Sequence, residues 1–136
     1  MVRPIIKDEQ FLARRSASAD ENDTQVITDL VDTLQFNAER CVGMAANMIG
    51  VLKQIIVAKD GETTIVMVNP KIVKQKGQYK AEEGCLSLEG TRPCTRFKEI
   101  TVSYLDGEFK RQRGKFTGFT AQIIQHEIDH LSGIII

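Results

Sequence analysis

Tryptophan is absent from this 136-residue chain, proline appears three times and histidine twice. The three cysteines, Cys41, Cys85 and Cys94, are an odd number, which argues against a disulfide framework and suits a reducing compartment. Charge of neither sign dominates, because 18 Lys and Arg balance 18 Asp and Glu. With no basic cluster interleaved with aromatics, direct nucleic-acid binding is disfavoured. The Lys/Arg-richer stretch Lys110–Lys115 has glycines at 107 and 114 and is expected to be a solvated hairpin turn. Apolar runs fall far short of the roughly 20 residues that cross a bilayer. Met1–Lys7 lacks the roughly 7–15-residue apolar core of a secretory signal. A soluble cytoplasmic protein without a membrane partner is expected. Its length suits one domain, residues 1–136, able to bury a core without cross-links.

Hydrophobic spacing supplies the elements. From Thr24 to Arg40, Val26, Ile27, Leu30, Val31 and Leu34 recur at three- and four-residue steps, the period of a helix with one face on a core. Asn22 or Asp23 is the expected N-cap, and residues 1–22 are expected to be irregular. β-Branched runs at Gln54–Ala58 and Thr63–Asn69 flank Lys59-Asp60-Gly61-Glu62, a hairpin signal. Ile72–Gln75, Ile100–Leu105 and Glu108–Lys110 read as further strands, with Asp106-Gly107 as another tight turn. A last helix is predicted to begin near Thr117–Phe119 and to stop at Gly133 as its C′ residue. The pattern gives an α+β fold: antiparallel or mixed strands around a C-terminal helix, with an N-terminal helix beside them.

Both histidines lie in that last helix, in His126-Glu127-Ile128-Asp129-His130, the pattern H-E-x-x-H. Imidazoles four positions apart on a helix lie one above the other and can reach a single metal ion. Glu127 is then placed to act as general base toward water on that ion. A metal hydrolase is the reading that uses both histidines and the glutamate.

Two imidazoles are half of a tetrahedral site. The six residues after His130 offer no ligand, so a third must come from upstream. Cys85, within Glu82-Glu83-Gly84-Cys85-Leu86-Ser87, is the best candidate. The flanking glycine lets the backbone approach closely, and a thiolate is a strong ligand for a transition metal. Cys41 and Cys94 compete, and spacing alone does not exclude them. A closed structural zinc site is the main alternative, but it has no use for Glu127 and normally completes four protein ligands.

Glu83-Gly84-Cys85-Leu86-Ser87, followed some way on by Gln125-His126-Glu127-Ile128-Asp129-His130-Leu131, resembles two signature motifs of the peptide deformylases. A third signature, glycine–hydrophobic–glycine–hydrophobic–Ala-Ala-x-Gln, is echoed by Cys41-Val42-Gly43-Met44-Ala45-Ala46-Asn47-Met48. Pro4-Ile5-Ile6-Lys7 and Leu12–Ala17 are similar to the family's start. The resemblance implies a divalent metal on Cys85, His126 and His130, ferrous iron in cells and replaceable by zinc, nickel or cobalt. It implies removal of the formyl group from N-formylmethionyl peptides near the ribosome, a step in the N-terminal processing of new proteins. Glu127 would move the proton, and the Leu86 N–H would donate to the developing oxyanion. Val42, Gly43 and Gly84 would hold the peptide, Ile123 would line the methionine pocket, and Arg92 would meet the peptide beyond it.

Two positions depart from the family pattern. Cys41 replaces the opening glycine of the first motif, and Met48 replaces its closing glutamine. In the family that glutamine donates a hydrogen bond to the tetrahedral intermediate, and a thioether has no donor. Losing one such donor costs about 2.7–4 kcal/mol of barrier, or roughly 10²–10³ in rate. Asn47 carries an amide, but on a strand its side chain would point the opposite way. Reduced activity is therefore expected. Two other functions stay open: a paralogue that binds metal and peptide with little turnover, and a hydrolase for another small N-acyl group. A Glu83–Arg96 ion pair supporting the cysteine loop and an orienting role for Asp129 are further expectations.

Overall fold

A computed structural model describes residues 1–135; Ile136, which ends the expected domain, lies outside the described residues. Among the described residues no helix is long and apolar enough to cross a membrane. The elements run α1 (Glu9–Leu12), α2 (Thr24–Phe36), β1 (Gly43–Ala45), β2 (Ile55–Asp60), β3 (Thr63–Cys85), β4 (Leu88–Leu105), β5 (Arg111–Thr117) and α3 (Gly118–Leu131). Short 3-10 turns occupy Glu21–Asp23 and Ala46–Ile49. The strands form one sheet in the order β1-β2-β3-β4-β5, each pair antiparallel.

Alternation along β2 shows how the layers stack. Ile55 and Val57 join a core with Leu30 and Leu34 of α2, whereas Ile56 and Ala58 join one with Ile123 and Ile124 of α3. A strand buried on both faces lies between two helices, so the sheet separates α2 from α3. The α+β fold around a C-terminal helix is thus the one expected from sequence, with purely antiparallel strand pairing.

Several local expectations are corrected. The N-terminal helix ends at Phe36 instead of Arg40, because Asn37 closes it with both its backbone N–H (3.1 Å) and its side-chain amide (2.8 Å) donating to Thr33 O. Asp23 occupies the N-cap position but makes no side-chain cap bond to α2. Its carboxylate instead accepts from Asp20 N–H at 2.9 Å, while Asp20 accepts from Asn22 N–H at 2.9 Å. The first 22 residues are not wholly irregular, since Asp8 caps the single turn of α1; one turn is too short to show a period.

The largest difference is the hairpin of β3 and β4. Thr63–Asn69 and Ile72–Gln75 belong to one continuous strand, because irregularities between Val68 and Lys71 and between Ile72 and Lys74 carry the ladder past Pro70. Residues 76–99, which show no strand signal in the sequence, continue the ladder from Lys76↔Glu99 to Cys85↔Leu88. Glu108–Lys110 is a turn, fixed by N–H donation from Glu108 (2.9 Å) and Lys110 (3.1 Å) to the Asp106 carboxylate. The expected solvated turn at Lys110–Lys115 is mostly strand β5, whose charged residues alternate with Gln112, Gly114 and Phe116. Asn47 is not on a strand; it sits in the 3-10 turn.

The end of α3 depends on Gly133. Its N–H donates to His130 O at 3.0 Å and Ile134 N–H to Asp129 O at 3.1 Å, the paired bonds of a Schellman cap. Gly133 has φ +77°, and a Cβ there would lie 2.3 Å from Ala13 O. Gly133→Ala is expected to lower the unfolding free energy by more than about 1 kcal/mol. Urea denaturation measures this, and an unchanged midpoint would mean that the N-terminal segment yields without cost.

Candidate metal centre and active site

Three elements meet at one cleft of about 250 Å³. α3 supplies His126, Glu127 and His130, the end of β3 supplies Cys85, and β1 supplies Gly43. The Nε2 atoms of His126 and His130 face each other at 3.0 Å. One ring nitrogen from each histidine and Cys85 Sγ all lie within 4.8 Å of one another. Two imidazoles and one thiol at that separation suit a transition metal, and three protein donors leave a tetrahedral ion one open position. Cys41 and Cys94 do not belong to the cluster.

His126 is held from behind. Its Nδ1 lies 2.7 Å from Glu83 Oε1, which leaves Nε2 to face the cluster. Glu83 also accepts from Gln122 Nε2 at 2.8 Å and from Arg96 Nη2 at 2.7 Å. Arg96 in turn donates through Nη1 to Asp129 at 2.7 Å. Gln122, His126 and Asp129 share a helix face, being four and three residues apart, and that face meets the β3–β4 hairpin. Burial alone would raise the Glu83 pKa, but hydrogen bonds from His126, Arg96 and Gln122 outweigh it and hold the carboxyl well below its usual range. Burial acts to lower His126, and contacts with Cys85 and Glu83 reverse this and raise it. His130 is lowered to about 3 by burial, with the neighbouring His126 adding to the effect.

Glu127 has the opposite surroundings. It is 4% exposed, its Oε1 has no hydrogen-bond partner among the described residues, and burial pushes its pKa up to about 7. Gly43 permits this packing, since a Cβ there would lie 2.5 Å from Ile123 Cγ2 and 2.8 Å from Glu127 Oε2.

Val42, Gly43, Met48, Gly84, Cys85, Leu86, Ile123, His126 and Glu127 all line the cleft. Arg92 does not; it lies beside Glu9, with Nη2 3.6 Å from the carboxylate. Met48 is buried, and its sulfur lies 3.5 Å from the N–H of Ala45, so it accepts and does not donate. Asn47 is turned away from the cleft, donating to His130 O at 3.1 Å. Sequence reasoning missed Gln122, Phe119 and Arg40 as lining residues, and it weighed Cys41 as a competing metal ligand, not as part of the cleft wall. Cys41 in fact lines the cleft, its thiol donating to Gly43 O at 2.8 Å and raised to about 11 by burial. The position of Gln122, four residues before His126, was the available signal for its role.

A sheet hairpin that brings a thiol to an H-E-x-x-H helix defines a mononuclear metal-site protein of α+β architecture. Residues 2–136 match the family described as polypeptide deformylase, and the chain belongs to that family. It is 53% identical to a peptide deformylase of Clostridium beijerinckii over the full length of both chains. The crystal structure of a peptide deformylase from Legionella pneumophila superposes with a TM-score of 0.86 at 35% identity, covering 98% of this chain and 82% of that one. A class I type b peptide deformylase from Acinetobacter baumannii with Met-Ala-Ser bound superposes with a TM-score of 0.88 at 29% identity, covering 99% and 97%.

Glu83→Gln is expected to weaken metal binding about 10–100-fold, since partners that orient a ligating histidine have effects of that size. Competition with a chromogenic chelator reads the change; an unaltered affinity would show that α3 alone orients His126.

Proposed function

We propose that this protein is a metal-dependent peptide deformylase that hydrolyses the N-formyl group of N-formylmethionyl peptides, acting as one domain over residues 1–136. The observation that carries this reading is the convergence of Cys85, His126 and His130 beside a buried, unpartnered Glu127 carboxylate. Cys85, His126 and His130 would hold the ion, ferrous iron in cells by the family's pattern. When bound, a divalent metal polarises the formyl carbonyl and makes water a stronger acid.

The chain's own residues perform the remaining steps. Glu127 accepts a proton from the attacking water as that water adds to the formyl carbon. It returns the proton to the methionyl nitrogen as the C–N bond breaks, so formate and a free amine leave. A carboxyl with a pKa of about 7 suits both transfers at neutral pH. The Leu86 N–H, in the tight turn after Cys85, donates to the oxyanion. β1 is the edge strand of the sheet, so an extended peptide can lie along Val42 and Gly43 with Gly84 on the far side. Ile123 offers the methionine side chain an apolar wall, and the Met-Ala-Ser complex of the A. baumannii relative is consistent with a methionine-led ligand. Arg92 lies outside the cleft and is assigned to the peptide beyond that residue. A deformylase of nascent chains would act in the cytoplasm, near the ribosome.

Met48 supports a slower enzyme than one with glutamine there, because its sulfur cannot donate to the oxyanion. Anaerobically purified, iron- or nickel-loaded protein is expected to release formate from a formyl-methionyl peptide. No turnover above a Glu127→Ala control would refute the reading. Met48→Gln is expected to raise kcat by up to roughly 10²–10³; an unchanged rate would mean that another group already fills this role. Chelation is expected to abolish turnover and readdition of the ion to restore it.

A further inference from the structure

We propose that the open face of strands β3, β4 and β5 binds the phosphate backbone of a folded RNA. Lys71 lies opposite Ser103, Lys74 opposite Thr101 and Lys76 opposite Glu99. From the other side Arg111 lies opposite Leu105, Arg113 opposite Ser103 and Lys115 opposite Thr101. Directly opposed residues project on the same face of a sheet, so these six cations share one surface. The intervening Ile100 and Val102 point the other way, into the α3 core. All six cations are exposed.

One acid stands among them. Glu99 pairs with Lys76 at 3.2 Å and also contacts Lys115. Lys71, Lys74, Arg111 and Arg113 form no salt bridge among the described residues. The chain's overall neutrality conceals this patch because acids concentrate elsewhere: Asp8, Glu9, Asp20, Glu21, Asp23, Asp29 and Asp32 all lie in the N-terminal quarter. Counting charge along a chain cannot detect a face that folding assembles from three strands.

Geometry selects the partner. Same-face residues on a strand are about 7 Å apart, and residues two strands apart about 10 Å. An array that broad exceeds any small anion and matches a surface with many phosphates. The side chains between the cations on β4 are Thr101 and Ser103, which offer hydroxyls to phosphate and nothing to insert into a lipid layer. Unpaired guanidinium groups favour bidentate phosphate contacts. None of the six lines the catalytic cleft, so both surfaces can be occupied together. On the deformylase reading, this face would hold the cleft close to the source of formylated chains; the binding itself does not require that reading.

The test is fluorescence anisotropy with a labelled RNA duplex, comparing wild type, K74Q/R113Q/K115Q and a control, K7Q/R14Q/K98Q. The control removes the same charge from exposed positions outside the patch. The patch variant is expected to bind about tenfold or more weakly at low salt, with its log–log salt slope shallower by roughly two. The control is expected to bind like wild type. Equal weakening by both variants, no wild-type binding at low salt, or tighter binding to phosphatidylserine vesicles than to the duplex would each overturn the proposal. Both variants are expected to retain wild-type turnover of formyl peptide. Loss of that turnover in the wild type would sink the deformylase reading while leaving RNA binding to be judged separately.

Discussion

Glu83 accepts from His126, Gln122 and Arg96 at once, and this buried carboxylate sets the geometry on which the site depends. Arg96 extends the same network to Asp129, so one guanidinium links the hairpin to two turns of α3. A buried ion pair is not in itself a large source of stability, because desolvation offsets most of the Coulombic gain. Its contribution here is orientation. With Nδ1 committed to Glu83, the ring of His126 has one nitrogen left and one direction in which to present it.

Two of the carboxylates lining the cleft have surroundings that drive them apart. Glu83 is surrounded by donors and stays ionised, while Glu127 is buried with one oxygen unmatched and titrates near neutrality. The first is therefore a fixed charge and the second a group that can gain or lose a proton near neutral pH, a difference set by environment alone. The histidines are only four positions apart, so helix geometry aligns them before any ion arrives. The cysteine reaches them only because a hairpin of more than forty residues folds back onto that helix.

What the sequence revealed follows from how local each signal is. The histidines and Glu127 lie on one helix turn, and the helix carries its own start and stop signals. Cys85 was ranked by its glycine and by resemblance, and only the fold separated it from Cys41 and Cys94. The β3–β4 hairpin was illegible because the less exposed face of residues 76–99 carries Ala81, Glu83, Arg92, Cys94 and Arg96, so burial alternates there without the apolar alternation that marks a half-buried strand. The Glu83–Arg96 pair, expected from sequence, joins residues that are not register partners, since Glu83 lies opposite Arg92 and Arg96 opposite Tyr79. Asn47 was misplaced for a related reason: Ala45, Ala46 and Met48 read as a continuing strand, but the chain turns at Ala46.

The first strand is only three residues long, Gly43–Ala45, and one side of it pairs with no strand among the described residues. A longer bare margin would invite another chain to add itself and start a fibril. Brevity therefore acts as a filter: so short a ladder offers an incoming chain only a few backbone bonds, too few to hold a neighbour by pairing alone.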